Sequence, residues 1–150
     1  MPTLRRAQPN DAEAIAALVN KAYSPYIARI GREPSPMLDD YRQVIEQNDA
    51  FVLTDNDEIV GVLVTSQEGT ELLLVNVAVS PSHKGNGFGK QLMAYCEEHA
   101  LTLGCEAVRL YTHERMVENI AIYEKLGYQQ THRANEDGFA RVFMRKALDA

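Results

Sequence analysis

The chain is 150 residues long, 45% hydrophobic and 24% charged, with a formal net charge of −6. A chain of this length suits a single domain over residues 1–150, burying roughly 70% of its unfolded surface without disulfide or metal staples. The acidic balance and the lack of a basic face argue against nucleic acid as a partner. No apolar run approaches the roughly 18 residues of a membrane span, so no membrane partner is expected. The start Met1-Pro2-Thr3-Leu4-Arg5-Arg6 lacks an apolar signal core, so a cytoplasmic enzyme is the expectation. Cys96 and Cys105 read as reduced, buried thiols, and no metal-ligand spacing is present.

Leu4 to Ala7 predicts a short first strand. Pro9-Asn10-Asp11 signals a helix start, with Asp11 and Glu13 near its positive end. Ile15, Leu18, Val19 and Ala22 form the buried stripe of that helix, and Ser24-Pro25 breaks it. A second short helix holds Tyr26, Ile27 and Ile30 and ends at Gly31. After a loop with two prolines, a third helix carries Leu38, Tyr41, Val44 and Ile45, with Asp39 and Asp40 in its first turn. Ala50–Thr54 and Ile59–Ser66 form a hairpin about Asp55-Asn56-Asp57. Gln67 to Thr70 is a turn into the apolar run Leu72 to Val79, which Pro81 closes. A helix from about Gly87 lines up Phe88, Leu92, Cys96, Ala100 and Leu103 and stops at Gly104. A strand over Ala107–Tyr111 follows, then a helix over Met116–Leu126 ending at Gly127. A last hairpin pairs Tyr128–Arg133 with Phe139–Arg145. This order predicts a mixed α/β fold, one central sheet with helices on its faces.

Lys84-Gly85-Asn86-Gly87-Phe88-Gly89 joins the central strand to the long helix. Glycines at alternate positions let the backbone approach a ligand closely and turn N–H groups inward. The free N–H groups at a helix start carry roughly half a positive charge and bind phosphate. The bland alternative is a tight turn with glycines for packing. A dinucleotide fingerprint wants another glycine spacing after the first strand, and no Gly-Lys-Ser/Thr phosphate loop is present.

Together with Val77-Ala78-Val79-Ser80-Pro81 before it, this stretch resembles the acyl-CoA signature of the GNAT superfamily of N-acetyltransferases, Gln/Arg-x-x-Gly-x-Gly/Ala. Gly87 and Gly89 match its glycines, and Lys84 stands where Gln or Arg is usual. Asn119-Ile120-Ala121-Ile122-Tyr123-Glu124-Lys125-Leu126-Gly127-Tyr128 is similar to the family's other acyl-CoA segment. Tyr123, Gly127 and Tyr128 take the places of its Tyr, Gly and aromatic, while Met116 replaces its first Asn and Asn119 its Ala. The resemblance implies a GNAT fold of about seven strands and acetyl-CoA as acetyl donor. It implies a cofactor site from Val77, Ala78, Val79, Lys84, Gly85, Asn86, Gly87, Phe88, Gly89, Lys90 and Asn119.

Acetyl transfer needs a neutral amine, donors for an oxyanion, and a proton for the departing thiolate. The family register gives the last task to Tyr123; spacing alone would leave it a packed tyrosine. The main chain of Val77 to Val79 is the candidate for the oxyanion and the pantetheine arm. No general base stands out among Glu68, Glu71, His113 and Glu114, each of which also reads as a solvated or capping residue. Asn76 is polar within an apolar run, and it either satisfies backbone or touches substrate. Tyr23, Tyr26, Met37, Tyr41, Asn76, Tyr111 and Arg141 are the candidates for the acceptor site. With Asp39 and Asp40 beside them, they would suit a cationic amine. The expected acceptor is a small-molecule or peptide amine, with a protein N-terminus or lysine also open. A homodimer is one state of association open to such a chain. The rival reading is an acyl-CoA-binding regulatory or scaffold module without turnover.

Overall fold

The computed structural model describes residues 2–83 and 85–148. Seven strands form one sheet in the order β1-β2-β3-β4-β5-β7-β6. They are β1 (Thr3–Arg6), β2 (Asp49–Asp55), β3 (Glu58–Glu68), β4 (Glu71–Val79), β5 (Ala107–His113), β6 (Gln129–Glu136) and β7 (Phe139–Ala147). Only β4 and β5 run parallel; the long α4 (Phe88–Thr102) makes that crossover. The other helices are α1 (Ala12–Tyr23), α2 (Ile27–Ile30), α3 (Tyr41–Gln47) and α5 (Val117–Lys125). Among the described residues, no helix is long and apolar enough to cross a membrane.

The middle of β2 and of β3 is buried without a break, because both faces of the sheet are covered. Phe51, Leu53 and Leu63 pack with Leu92, Cys96 and Ala100 of α4. Ala50, Val52, Val62 and Val64 pack on the other face with Ile15, Leu18 and Val19 of α1 and Tyr41 of α3. The apolar stripes read for α1 and α4 therefore each find a sheet face, whereas Tyr26, Ile27 and Ile30 of the α2 segment are not part of either core.

Local chemistry sets the helix bounds. A 3-10 turn over Pro9–Asp11 precedes α1, and Arg5 grips Asp11 through two hydrogen bonds of 2.8 and 3.1 Å. That guanidinium, with the Gln8 N–H, holds the Asp11 carboxyl below its usual range. Ser24-Pro25 does not end the helical path. Pro25 sits at the start of a 3-10 turn, Ser24–Tyr26, where its missing N–H costs nothing, and α2 follows directly. The third helix begins later than its apolar spacing suggests. Ser35–Leu38 is a separate 3-10 turn, Asp39 is extended, and Asp40 caps α3 by accepting from the Arg42 N–H at 3.1 Å. Leu38 therefore lies outside the helix and is exposed.

Two irregularities in β4 create the site. The β3–β4 register passes from Val64↔Asn76 to Thr65↔Leu74, so Val75 is an extra residue on β4. Leu72 and Leu74 pack on the α4 face, whereas beyond the bulge Asn76 and Ala78 turn to the α1 face. The second irregularity is the pairing with β5, which stops at Leu74↔Leu110. Beyond that pair the strands part, and β5 continues against β7 alone.

Asn76 is fixed by a short polar chain. Tyr23 Oη donates to Asn76 Oδ1 at 2.9 Å and lies 3.2 Å from the Val77 carbonyl oxygen. Asn76 Nδ2 donates to Tyr41 Oη at 3.0 Å, and Tyr41 Oη donates to the Pro36 carbonyl at 2.7 Å. The bulge is thereby tied to α1, α3 and the loop before α3. Asn76→Ala is expected to lower stability by about 1–3 kcal/mol, measured by urea unfolding. Combined with Tyr41→Phe, the loss should be smaller than the sum of the two. Leu92, fully buried between α4 and β3, is expected to cost about 2–5 kcal/mol when cut to Ala, read in the same assay.

Candidate active site

The parting of β4 from β5 opens two spaces that meet. The larger, about 890 Å3, lies between the end of β4, the start of α4, and α5. That volume is within the range of about 300–1,000 Å3 typical of ligand sites. Val77, Ala78, Val79, Gly85, Gly87, Phe88, Gly89, Lys90, Asn119 and Tyr123 line it, as does Tyr26, which the sequence assigned to the acceptor. Asn86 is exposed and is not in its lining, and Lys84 lies outside the described residues.

The glycine turn is shaped for an anion. Gly85 and Gly87 have φ of +89° and +79°, a region that favours glycine, and no atom lies within 4 Å of where a Cβ would stand. Gly87 begins α4 without a side-chain cap. The first N–H groups of that helix are thus left for solvent or a ligand. Open backbone, free donors and Lys90 fit the pyrophosphate of a coenzyme A. The apolar walls offered by Val77, Val79, Ile122 and Leu126 fit its pantetheine arm.

The smaller pocket, about 50 Å3, lies where β4 and β5 part. Tyr23, Asn76, Val77, Tyr111, Asn119, Tyr123 and Arg141 come together in it. Met37 and Tyr41 do not line it; Met37 packs beside the α1–α3 core, and Tyr41 is buried within it. Asp39 and Asp40 are not in its lining either, so the carboxylates expected beside the tyrosines are absent from it. Ile30, at the end of α2, and Pro34, Ser35 and Pro36, from a stretch whose sequence reads only as a proline-rich loop, cover the pocket instead. Thr112 and Phe139, which no motif marked, also line it, as does Met116, which stands where the family's segment has its first Asn.

Four residues line both spaces: Tyr23, Val77, Asn119 and Tyr123. Tyr123 stands edge-on to Tyr128, and its hydroxyl has no hydrogen-bond partner among the described residues. Burial, then Cys96 and Tyr26, push its phenol well above the ordinary tyrosine range. The group therefore stays protonated at neutral pH. Burial raises Tyr23 likewise.

The polar residues weighed as bases fall in different places. Glu68 and Glu71 pair with Arg109, and Glu71 with Arg145 at 3.0 Å, at the end where β4 and β5 are still joined. Glu114 faces Arg133 at 3.6 Å. His113 lines the smaller pocket, but its Nδ1 accepts from the Arg115 N–H at 3.1 Å. Burial lowers its pKa, so the ring is neutral, with its proton on Nε2. At the mouth of the larger space, Glu118 of α5 takes two contacts from Arg29 Nη1, of 2.6 and 2.8 Å. It also accepts from Tyr26 Oη at 3.2 Å, which ties α2 to α5.

The N-acetyltransferase YvbK of Bacillus subtilis is 28% identical over 95 residues, 63% of this chain and 61% of that protein. The chain thus spans less than two thirds of that relative's length. The ribosomal-protein-S18-alanine N-acetyltransferase of Escherichia coli superposes with a TM-score of 0.76 at 21% identity, over 100% of this chain and 96% of the other. The PaiA N-acetyltransferase of Thermoplasma acidophilum, solved in complex with coenzyme A, superposes at 0.80 with 15% identity, over 99% of both chains. The model of the acetyltransferase (GNAT) family, whose acyl donor is acetyl-CoA, matches residues 13–128. The glycine turn, the parted strands and this match over most of the sequence establish that the chain belongs to the GNAT acetyltransferase family.

Proposed function

We propose that this protein transfers the acetyl group of acetyl-CoA to a primary amine by direct attack, with both substrates bound at once. The observation that carries this reading is the shared wall of Tyr23, Val77, Asn119 and Tyr123. A donor in the large space and an acceptor in the small one would meet there from opposite sides. Such a meeting replaces an encounter in solution by a fixed geometry, the largest saving available to a two-substrate reaction.

Bound acetyl-CoA supplies an activated thioester, whose acyl carbon is open to attack and whose sulfur departs as a thiolate. The protein's part is to bind, orient and hold a proton. Main-chain N–H groups of Gly85, Gly87 and Gly89, with Lys90, hold the diphosphate. The edge of β4 from Val77 to Val79, released from β5, offers its main chain to the pantetheine amides and to the acyl oxygen. Asn119 brings an uncommitted amide to the junction. Tyr123 holds a proton at Oη, and burial keeps the phenol neutral, so its O–H can donate a hydrogen bond to the sulfur as negative charge develops there. Among the described residues no carboxylate lines the acceptor pocket, and no side chain is assigned as the base that takes the amine's proton.

Thiol release from acetyl-CoA in the presence of a panel of amines tests the activity. Binding of acetyl-CoA with no release by any amine would favour a sensor or scaffold. Gly87→Glu puts a side chain at positive φ and a carboxylate against the diphosphate. Its affinity for acetyl-CoA should fall at least about tenfold in calorimetry. Tyr123→Phe should lower kcat by about 10²–10⁴-fold, while the Kd for acetyl-CoA changes less than about threefold. Unchanged turnover would remove Tyr123 from the chemistry.

A further inference from the structure

The acceptor pocket has a charge bias that the fold does not require. Arg141 projects from β7, its guanidinium 4.3 Å from the Tyr111 ring centre and 5.7 Å from that of Phe139. Its side chain is only 14% exposed. Nη1 donates to Glu136 at 2.9 Å, and among the described residues no other acceptor takes the remaining N–H groups. Arg141 is nevertheless part of the pocket wall. A guanidinium has five donors in a planar fork, so most of this fork is left for whatever enters.

Around it stand donors and neutral groups. His113 presents a neutral ring whose Nδ1 is already engaged, which leaves Nε2–H as its free polar group. Ser35, Tyr111 and Asn119 add hydroxyls and an amide with no partner among the described residues. Among the described residues, no Asp or Glu lines the pocket. Glu136 is 47% exposed at the rim, where an ion pair is screened and weak. It steadies one nitrogen of the fork without filling the pocket. A second cationic group entering here would meet a like charge, with the one nearby carboxylate, Glu136, already engaged by Arg141 outside the pocket lining. A compact planar anion would meet a desolvated fork and further donors.

We propose that the acceptor is an amine that also carries a carboxylate, and that Arg141 is the residue that binds that carboxylate. This rests on the amine-acetylation reading above and narrows its substrate to the chemical class of amino acids.

The test uses matched sets of an amino acid, its amide and its decarboxylated amine. Initial rates of thiol release are compared per unit of neutral amine. The carboxylate member should lead in kcat/KM by about 10–100-fold. Arg141→Gln should collapse that ratio toward one, and Arg141→Lys, which keeps charge but loses the fork, should retain part of it. A purely packing role for Arg141 would shift all members of a set together and leave the ratio intact, which overturns the inference. Equal or faster reaction of the amides and plain amines overturns it too, while leaving acetyl transfer in place. A second measurement is independent of turnover and of any variant. In calorimetry with the native protein and coenzyme A, an N-acetyl amino acid should bind more tightly than its amide. If no amine releases thiol, the functional reading falls, and this comparison alone decides on the pocket: equal affinities overturn the proposal.

Discussion

A parallel pair of strands that stays together for only four residues governs this molecule. β4 and β5 are joined over Glu71–Leu74 and Ala107–Leu110, and beyond those residues their strand pairing ends. Main-chain groups in a sheet interior are normally spoken for. Here one edge of a central strand is released while its other edge stays locked to β3. Rigid backbone with an open hydrogen-bonding edge is what a ligand rich in amides requires. The Val75 bulge completes the arrangement. It reverses the faces of β4, so the hydrophobic run can fill one core below the bulge and present Asn76 to the tyrosines above it.

The rest of the chain secures that opening. α4 is pinned by Leu92, Cys96 and Ala100, so its uncapped start is held at the mouth of the cleft. α5 closes the far wall, and its Tyr123 reaches the junction because Ile120 is anchored in the core. α1 and α3 grip the bulge through Tyr23 and Tyr41. The ion pair of Arg29 with Glu118 draws the segment after α1 over the cleft. Arg32 reaches the β6–β7 turn, donating to the Asp137 carbonyl at 3.2 Å and stacking over Phe139.

Much of this was legible in the residues, and the exceptions have physical causes. Element order and the helix faces follow from periodicity, since an apolar stripe must find a partner surface. The glycine turn is legible because few other tasks need glycine at alternate positions before an uncapped helix. The bulge is invisible in Leu72 to Val79, because alternation carries no signal where nearly every residue is apolar. Asp40 takes the helix-start role that its position suggests, while the acceptor role also open to Asp39 and Asp40 finds no support in the pocket lining. Their proximity in sequence to Met37 and Tyr41 says nothing of direction, and a cap turns Asp40 to its own backbone. Tyr41 illustrates the same limit: helical spacing places it on a core face, and the hydroxyl is used to hold Asn76 rather than to meet a substrate. The cover made by Pro34, Ser35 and Pro36 could not be read, since loops take their position from distant partners.

The wall shared by the two spaces constrains how such a protein can diversify. Tyr23, Val77, Asn119 and Tyr123 line both spaces, so under the proposed reading any change there alters two recognition events together. The glycine turn and Arg141 lie on separate limbs and touch one space each. Variation in acceptor choice can therefore accumulate on β7 and on the proline-rich cover without disturbing the coenzyme, whereas the junction admits only coordinated replacement.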